Sequence, residues 1–441
     1  MTKTTYISPT INFKKSNTVV ILFNGHYSII NDKKIEYKFE GKISLEWFPQ
    51  IHIKIVGKNS VQNQECSFID LKNKFKIMVN GSVIGIANLK SCSDPIGDFE
   101  GVLHEFHLGE NTAVDRIRFT LINFTKLIGN ERYSHRGFYG LRTVLKFDNY
   151  QIILNPILNK YPNRRDSLED EGGYFSNISG SISKIDNSKV SLKESQNIFE
   201  CFSYYLSFIN GSWCAPIYYR GMQGNRIAFN NISEVQKIAP YKNHIGTWAK
   251  MSKFDPNIVH LSNELWNSFN SIWVKDDYFV KLAIHWYIES ISHYSSSLDH
   301  IITNSIITAQ TGMELFYNWL YENQIINKSE NAESRIRSII QKIGINENSI
   351  FKSEGLINFI STTKELESKN LIGAMVYIRN GLIHPKNSKR KNIKTLDKNI
   401  IVETSRIWSW IIELTLLFIF EYNGKYCNRL EGGKVCDVPW K

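Results

Sequence analysis

An arginine, an asparagine and a histidine stand at positions 379, 380 and 384 of the stretch IRNGLIHPKNSKRK, residues 378 to 391. Their side-chain types suit chemistry at an RNA phosphodiester. Attack of a ribose 2′-hydroxyl on the adjacent phosphate needs a base for the hydroxyl, an acid for the leaving oxygen and positive charge beside the crowded phosphorane. His384 titrates near neutrality and can serve as base or acid. Arg379 stays charged and can grip phosphate oxygens in a bidentate contact, and Asn380 can orient either partner. This chemistry requires no metal and no cofactor. The cations that follow, Lys386, Lys389, Arg390 and Lys391, with Lys394 and Lys398 beyond, are placed to hold an RNA backbone beside the histidine. The spacing also has a purely structural reading, in which Arg379 pairs with a neighbouring helix and His384 caps the last carbonyls of its own.

The residues before the motif must form a helix. From Leu371 to His384, at about 100° per residue, Leu371, Met375, Ile378 and Leu382 make one apolar stripe that faces a core. Tyr377, Arg379, Asn380 and His384 project away from it. Asn380 and His384, four apart, are surface neighbours. Pro385 ends the helix immediately after the histidine. A second stripe, Ile372, Val376 and Ile383, runs beside the polar groups and is expected to pack against a second copy of the same helix.

The surrounding chain changes period along its length. Ile35, Tyr37 and Phe39, then Ile43, Leu45 and Trp47, then Ile51, Ile53 and Ile55 alternate as in strands. KFKIMVNG, SVIGIANL, GVLHEFHL, DRIRFTLINF and TVLKFDNYQIIL continue the pattern between Gly, Asn and Asp turns. Residues 1–190 are therefore read as a β-rich, sandwich-like or curled-sheet domain. Residues 191–255 add a short α/β extension: a helix through Ile198, Phe202, Tyr205 and Ile209, then the strands WCAPIYYRG and NRIAFNN. Residues 256–424 carry long helical patterns and read as an all-α bundle. Residues 425–441 form a Gly-rich tail. The overall class is α+β.

With this helical setting, the motif resembles the HEPN domains, helical modules of many prokaryotic defence and toxin ribonucleases. Their signature is an arginine followed by Asn, Asp or His, three variable residues and a histidine, which Arg379, Asn380 and His384 match. The earlier helix SIITAQTGMELFYNWLY is similar to a HEPN helix bearing a glutamate. Glu314 would be that residue, as a buried, paired carboxylate. A β-rich N-terminal domain followed by such a bundle resembles the ApeA-type anti-phage proteins. The resemblance implies a metal-independent endoribonuclease acting in abortive infection on cellular or phage RNA, tRNA included. It implies 2′,3′-cyclic phosphate ends and a site completed by a homodimer of the HEPN domain. The N-terminal domain would then sense a phage-derived trigger or restrain the nuclease. Two other readings stay open: a non-catalytic RNA- or nucleotide-binding module, and a partner-binding regulatory protein.

Bulk properties limit the alternatives. Of 441 residues, 42% are hydrophobic and 13% aromatic, as in a folded rather than a disordered chain, and the net charge of +11 favours a polyanionic partner. The six cysteines show no paired zinc spacing, and the start lacks an apolar leader, so a reduced, cytoplasmic protein is expected. The most apolar run, Ile407 to Tyr422, is too short to span a bilayer and contains Glu413, which marks it as a core helix rather than a membrane segment. His104 and His107 in HEFH would point to opposite faces of a strand, which does not favour a metal site. RYSHRGFYGLR, residues 132–142, interleaves basic and aromatic residues; it reads as a sheet edge with solvated arginines or as a surface that stacks bases. KYPNRRDSLEDEGGY reads as a mobile loop. There is no P-loop, dinucleotide glycine fingerprint or G-x-S-x-G elbow.

Overall fold

The computed structural model describes residues 6–11, 13, 15–60, 74–92, 98–124, 129, 131–135, 138–157, 168, 170–233, 237–241, 246–249, 263–292, 299–347, 354–363, 366, 370–383 and 396–441. The chain is mixed, with a β-rich N-terminal region and helices concentrated in the C-terminal half. It divides into two compact units. The first comprises Met1–Thr125, Gly129–Glu200 and Cys214–Asn243, and the second Lys126–Ile128, Cys201–Trp213 and His244–Lys441. Residues 191–255 are thus shared between the two units.

In the first unit the alternating segments close into a barrel. Its strands are β1 (Val20–Ile30), β2 (Glu36–Glu46), β3 (His52–Asn59), β4 (Lys74–Val79), β5 (Ser82–Cys92) and β6 (Phe99–Leu103), in the order β1-β2-β3-β6-β5-β4. Pairing of β1 with β4, from Ser28 opposite Met78 to Ile30 opposite Lys76, seals the ring. Closure removes the free edges that an open sheet would expose. Tyr27, Ile29, Phe39, Ile43, Leu45, Ile53, Ile55, Phe75 and Ile77 are buried, as the period-two pattern requires. A side chain at Gly57 would run into the Tyr27 hydroxyl, 2.3 Å from an added Cβ, and that hydroxyl donates to the Val56 carbonyl at 2.7 Å.

An eight-stranded antiparallel sheet follows. It contains β7 (Phe106–Gly109), β8 (Arg116–Ile122), β9 (Glu131–His135), β10 (Phe138–Phe147), β11 (Tyr150–Pro156), β12 (Ser176–Lys184), β13 (Pro216–Gln223) and β14 (Arg226–Ile232). The order is β7-β14-β13-β8-β12-β11-β10-β9. The two strands expected in the α/β extension are therefore inner and near-edge members of this sheet. HEFH straddles a bend, with His104 exposed and the His107 ring stacked on Phe229 at 5.7 Å. RYSHRGFYGLR does include a sheet edge, since β9 is the last strand in the order, but Arg142 is not solvated: it is only 9% exposed, and its Nε and Nη2 donate to Glu131 Oε2 at 3.1 and 2.8 Å. Most of KYPNRRDSLEDEGGY lies outside the described residues.

Helix α1 (Leu192–Asn210) contributes to both units, its first half to one and its second to the other. In the second unit, Tyr205 packs edge-on to Trp266 and Phe269, and Phe208 meets Trp248, Tyr287 and Phe420. The remaining helices are α2 (Asn263–Lys275), α3 (Asp277–Ser292), α4 (Asp299–Glu322), α5 (Ala332–Lys342), α6 (Glu354–Thr362), α7 (Leu371–Ile383) and α8 (Lys398–Ile419). α8 is the core helix expected from its apolar run. Ile411, Ile412, Leu414, Leu416 and Leu417 are fully buried, each contributing about 1.5–3 kcal/mol of transfer free energy. Among the described residues no helix is long and apolar enough to cross a membrane.

The Gly-rich tail has a defined role. It forms a hairpin of β15 (Lys425–Asn428) and β16 (Lys434–Asp437), with Gly432 in the left-handed region at φ 67°. Arg429 at its turn donates from Nε and Nη2 to the two Glu413 carboxylate oxygens at 2.8 and 2.6 Å.

Candidate functional site

Helix α7 begins at a polar clamp. Asn370 accepts from the Gly373 amide at 3.2 Å, which caps the first turn, and donates from Nδ2 to Glu347 at 2.8 Å. Arg337 on α5 ties Glu347, Glu333 and Asn370 together. The start of α7 is thus fixed by side chains from two other segments. Asn370→Ala is expected to cost about 1 kcal/mol in a denaturant titration, the usual loss for a helix cap.

Beyond the cap, LIGAMVYI is apolar on every side. Leu371, Met375 and Ile378 are buried as the first stripe requires, and Leu382 is half-buried. The second stripe corrects the dimer reasoning. Ile372 is fully buried and Val376 is 8% exposed within the single chain, while only Ile383 is half-buried. Tyr377, expected to point outward, is also buried, with its ring 6.4 Å from Phe359. The physical reason is that α4, α5 and α6 all pack on this helix. A helix apolar all round is a core helix, and its second face needs no second copy. Ile372→Val is accordingly expected to lower stability by about 0.5–1.5 kcal/mol and leave the association state unchanged in light scattering.

Polarity begins where burial ends. Arg379 and Asn380 are both half-buried in the last turn, and Arg379 Nη1 donates to Asn380 Oδ1 at 3.1 Å. Arg379 Nε is buried and has no hydrogen-bond partner, and among the described residues no carboxylate forms an ion pair with the guanidinium. A cation in this state is poised to receive an anion, because an unmet buried donor costs about 1–3 kcal/mol until something accepts from it. His384 follows directly after α7 in sequence. His384, Lys386, Lys389, Arg390 and Lys391 lie outside the described residues. Of the expected site residues the structure describes Arg379 and Asn380, joined by that one hydrogen bond.

Glu314 is not the carboxylate the resemblance suggested. It is half-buried on α4, and among the described residues it forms no ion pair. The buried, paired carboxylate of this unit is Glu413. Besides Arg429, it accepts from the Trp248 amide at 3.1 Å and from the Tyr287 hydroxyl at 3.2 Å. Burial, and then the Glu413 charge, hold the Tyr287 pKa well above that of a free phenol, so Tyr287 remains a donor. The sequence displays Glu413 as a lone charge in an apolar run, but its partner lies in the Gly-rich tail. A cleft of about 550 Å³ opens between α6 and the start of α8, lined by Asn358, Thr362, Asp397 and Glu403. Its carboxylates disfavour phosphate. Among the described residues no group of three His, Cys, Asp or Glu side chains is placed to hold a metal ion. Cys201, Cys214, Cys427 and Cys436 form no disulfide.

Comparison with known proteins gives two family matches and one relative. Residues 275–438 match the family described as the YopA C-terminal domain, and residues 109–244 match the YopA central domain. The first match falls within the helical unit, and the second takes in the eight-stranded sheet except the start of β7. Over 458 aligned positions the chain is 25% identical to the SPbeta prophage-derived uncharacterized protein YopA of Bacillus subtilis (strain 168), covering 96% of each chain. No solved structure matches.

Proposed function

We propose that the protein is a cytoplasmic, metal-independent endoribonuclease of HEPN type in anti-phage defence, with the β-rich unit as its sensor or restraint. The observation that carries this reading is Arg379, a half-buried cation at the end of a core helix whose Nε lacks a partner and whose charge no described carboxylate neutralises. Arg379 binds the scissile phosphate, His384 moves the proton between the 2′-hydroxyl and the leaving 5′-oxygen, and Asn380 holds the Arg379 fork. As the P–O2′ bond forms and the P–O5′ bond breaks, a 2′,3′-cyclic phosphate and a 5′-hydroxyl result. Lys386, Lys389, Arg390 and Lys391 bind the flanking backbone. Two copies complete the site through the exposed end of α7, where Leu382 and Ile383 are half-buried. The prophage origin of the B. subtilis relative fits a role in conflict between phages.

The test is incubation of wild-type protein and His384→Ala with total RNA, including tRNA, in EDTA. Cleavage by the wild type alone, with both proteins folded, supports the enzyme. Binding without cleavage by either protein, with phage-infected lysate supplied as trigger, moves the assignment to an RNA-binding module.

A further inference from the structure

The eight-stranded sheet buries one face and leaves charge on the other. On the buried face Phe119 meets Phe199 of α1, ring centroids 5.5 Å apart. On the opposite face Arg116 and Arg118, two residues apart on β8, point the same way. Arg118 lies directly across from Arg220 on β13 and from Ser181 on β12. Like charges directly opposed across two strands destabilise a sheet unless something neutralises them. Among the described residues no carboxylate forms an ion pair with any of the three.

Their existing partners are neutral. Arg116 Nη2 donates to the Gly224 carbonyl at 3.2 Å, and Arg220 Nε donates to Asn230 Oδ1 at 2.9 Å. The Nε atoms of Arg116 and Arg118 are buried without a hydrogen-bond partner. Burial, then the charges of Arg116 and Arg220, pull the Arg118 pKa below that of an ordinary guanidinium. Arg116 and Arg118 border a cleft of about 530 Å³, which Gln151, Ser181 and Ser183 line with neutral hydrogen-bonding groups; Arg220, across from Arg118, stands outside that lining. Of the other charges of the lining, Lys184 pairs with Glu194 and Arg142 with Glu131. The one carboxylate of the lining, Asp115, accepts from the Gly224 amide at 2.6 Å and sets a single negative charge against the two arginines.

We propose that this cleft binds a nucleoside phosphate, with its phosphates held by Arg116 and Arg118 and its sugar or base hydrogen-bonded along Gln151, Ser181 and Ser183. Its volume is that of a small-molecule site. The unneutralised charge of the lining is concentrated on two neighbouring positions of one strand, which suits one di- or triphosphate. A polynucleotide instead calls for a cationic groove that tracks successive phosphates. The site is independent of the ribonuclease reading, since its residues belong to the other compact unit.

The test is calorimetric titration of the full chain with ATP, GTP, AMP and inorganic phosphate, repeated with Arg118→Gln and Arg116→Gln, alongside unliganded melting curves. ATP or GTP is expected to bind more tightly than AMP and inorganic phosphate, and either substitution to weaken binding at least about tenfold. Unliganded Arg118→Gln is expected to melt no lower than wild type, since it relieves an unneutralised pair; a purely structural arginine would lower the melting point. Arg116→Gln supplies the same comparison if the first variant does not fold, since Arg116 lines the cleft and its charge also acts on Arg118. Failure of every nucleotide to bind at millimolar concentration overturns the proposal. So does inorganic phosphate binding as tightly as ATP, or a short single-stranded RNA binding through these arginines while nucleotides do not.

Discussion

Replacing Arg429 by alanine is expected to destabilise the helical unit by about 3–5 kcal/mol, read as a shift in the midpoint of denaturant unfolding. The carboxylate of Glu413 is buried in the middle of α8, with a side chain 1% exposed, and Arg429, itself only 10% exposed, supplies its counter-charge. Without the guanidinium, two neutral donors remain, the Trp248 amide and the Tyr287 hydroxyl. Neither neutralises a charge held away from water. The magnitude reflects an uncompensated buried ion rather than the net worth of the pair. A double variant, Glu413→Gln with Arg429→Met, should therefore recover more than half of the loss, since glutamine still accepts from both neutral donors. A loss below about 1 kcal/mol in Arg429→Ala would show that Glu413 does not depend on this partner.

The second large effect is on rate. His384→Ala is expected to slow RNA cleavage by about 10²–10⁴-fold, the usual contribution of a positioned general acid or base. Arg379→Ala is expected to slow it by about 10²–10³-fold, the range for removing one donor to developing transition-state charge. Arg379→Lys should not rescue, because an ammonium lacks the planar fork that grips two phosphate oxygens. Arg379 makes one hydrogen bond, to Asn380, and forms no ion pair among the described residues. The melting temperature of the Arg379 variants should consequently stay close to that of wild type. A large drop in melting temperature alongside the lost activity would assign Arg379 to the fold instead.

Much of the architecture follows from local patterns. Period-two runs mark the strands because one barrel face is dry, and the period change after Ser195 marks α1. Barrel closure is not legible in the same way, since it depends on β1 meeting β4 across more than forty intervening residues. The motif residues stand out by their chemical types, and Arg379 and Asn380 fall at the polar end of their helix as their position implies. The burial of Ile372 and Val376 within one chain has a specific cause. Three other helices, α4, α5 and α6, pack on α7, and contacts between segments so far apart in the chain leave no local pattern. Glu413 stands out in its apolar run, but nothing local matches it to Arg429 across a hairpin. The cross-strand pair of Arg118 and Arg220 is hidden by the bulge between Ile217 and Arg220, which sets the register.

The most direct test of the ribonuclease assignment is the chemistry of the cut ends. RNA cleaved by wild-type protein in EDTA should carry 2′,3′-cyclic phosphate and 5′-hydroxyl termini, and Arg379→Ala and His384→Ala should leave the same RNA intact. Termini bearing 3′-hydroxyl and 5′-phosphate, or cleavage that persists in His384→Ala, would contradict it.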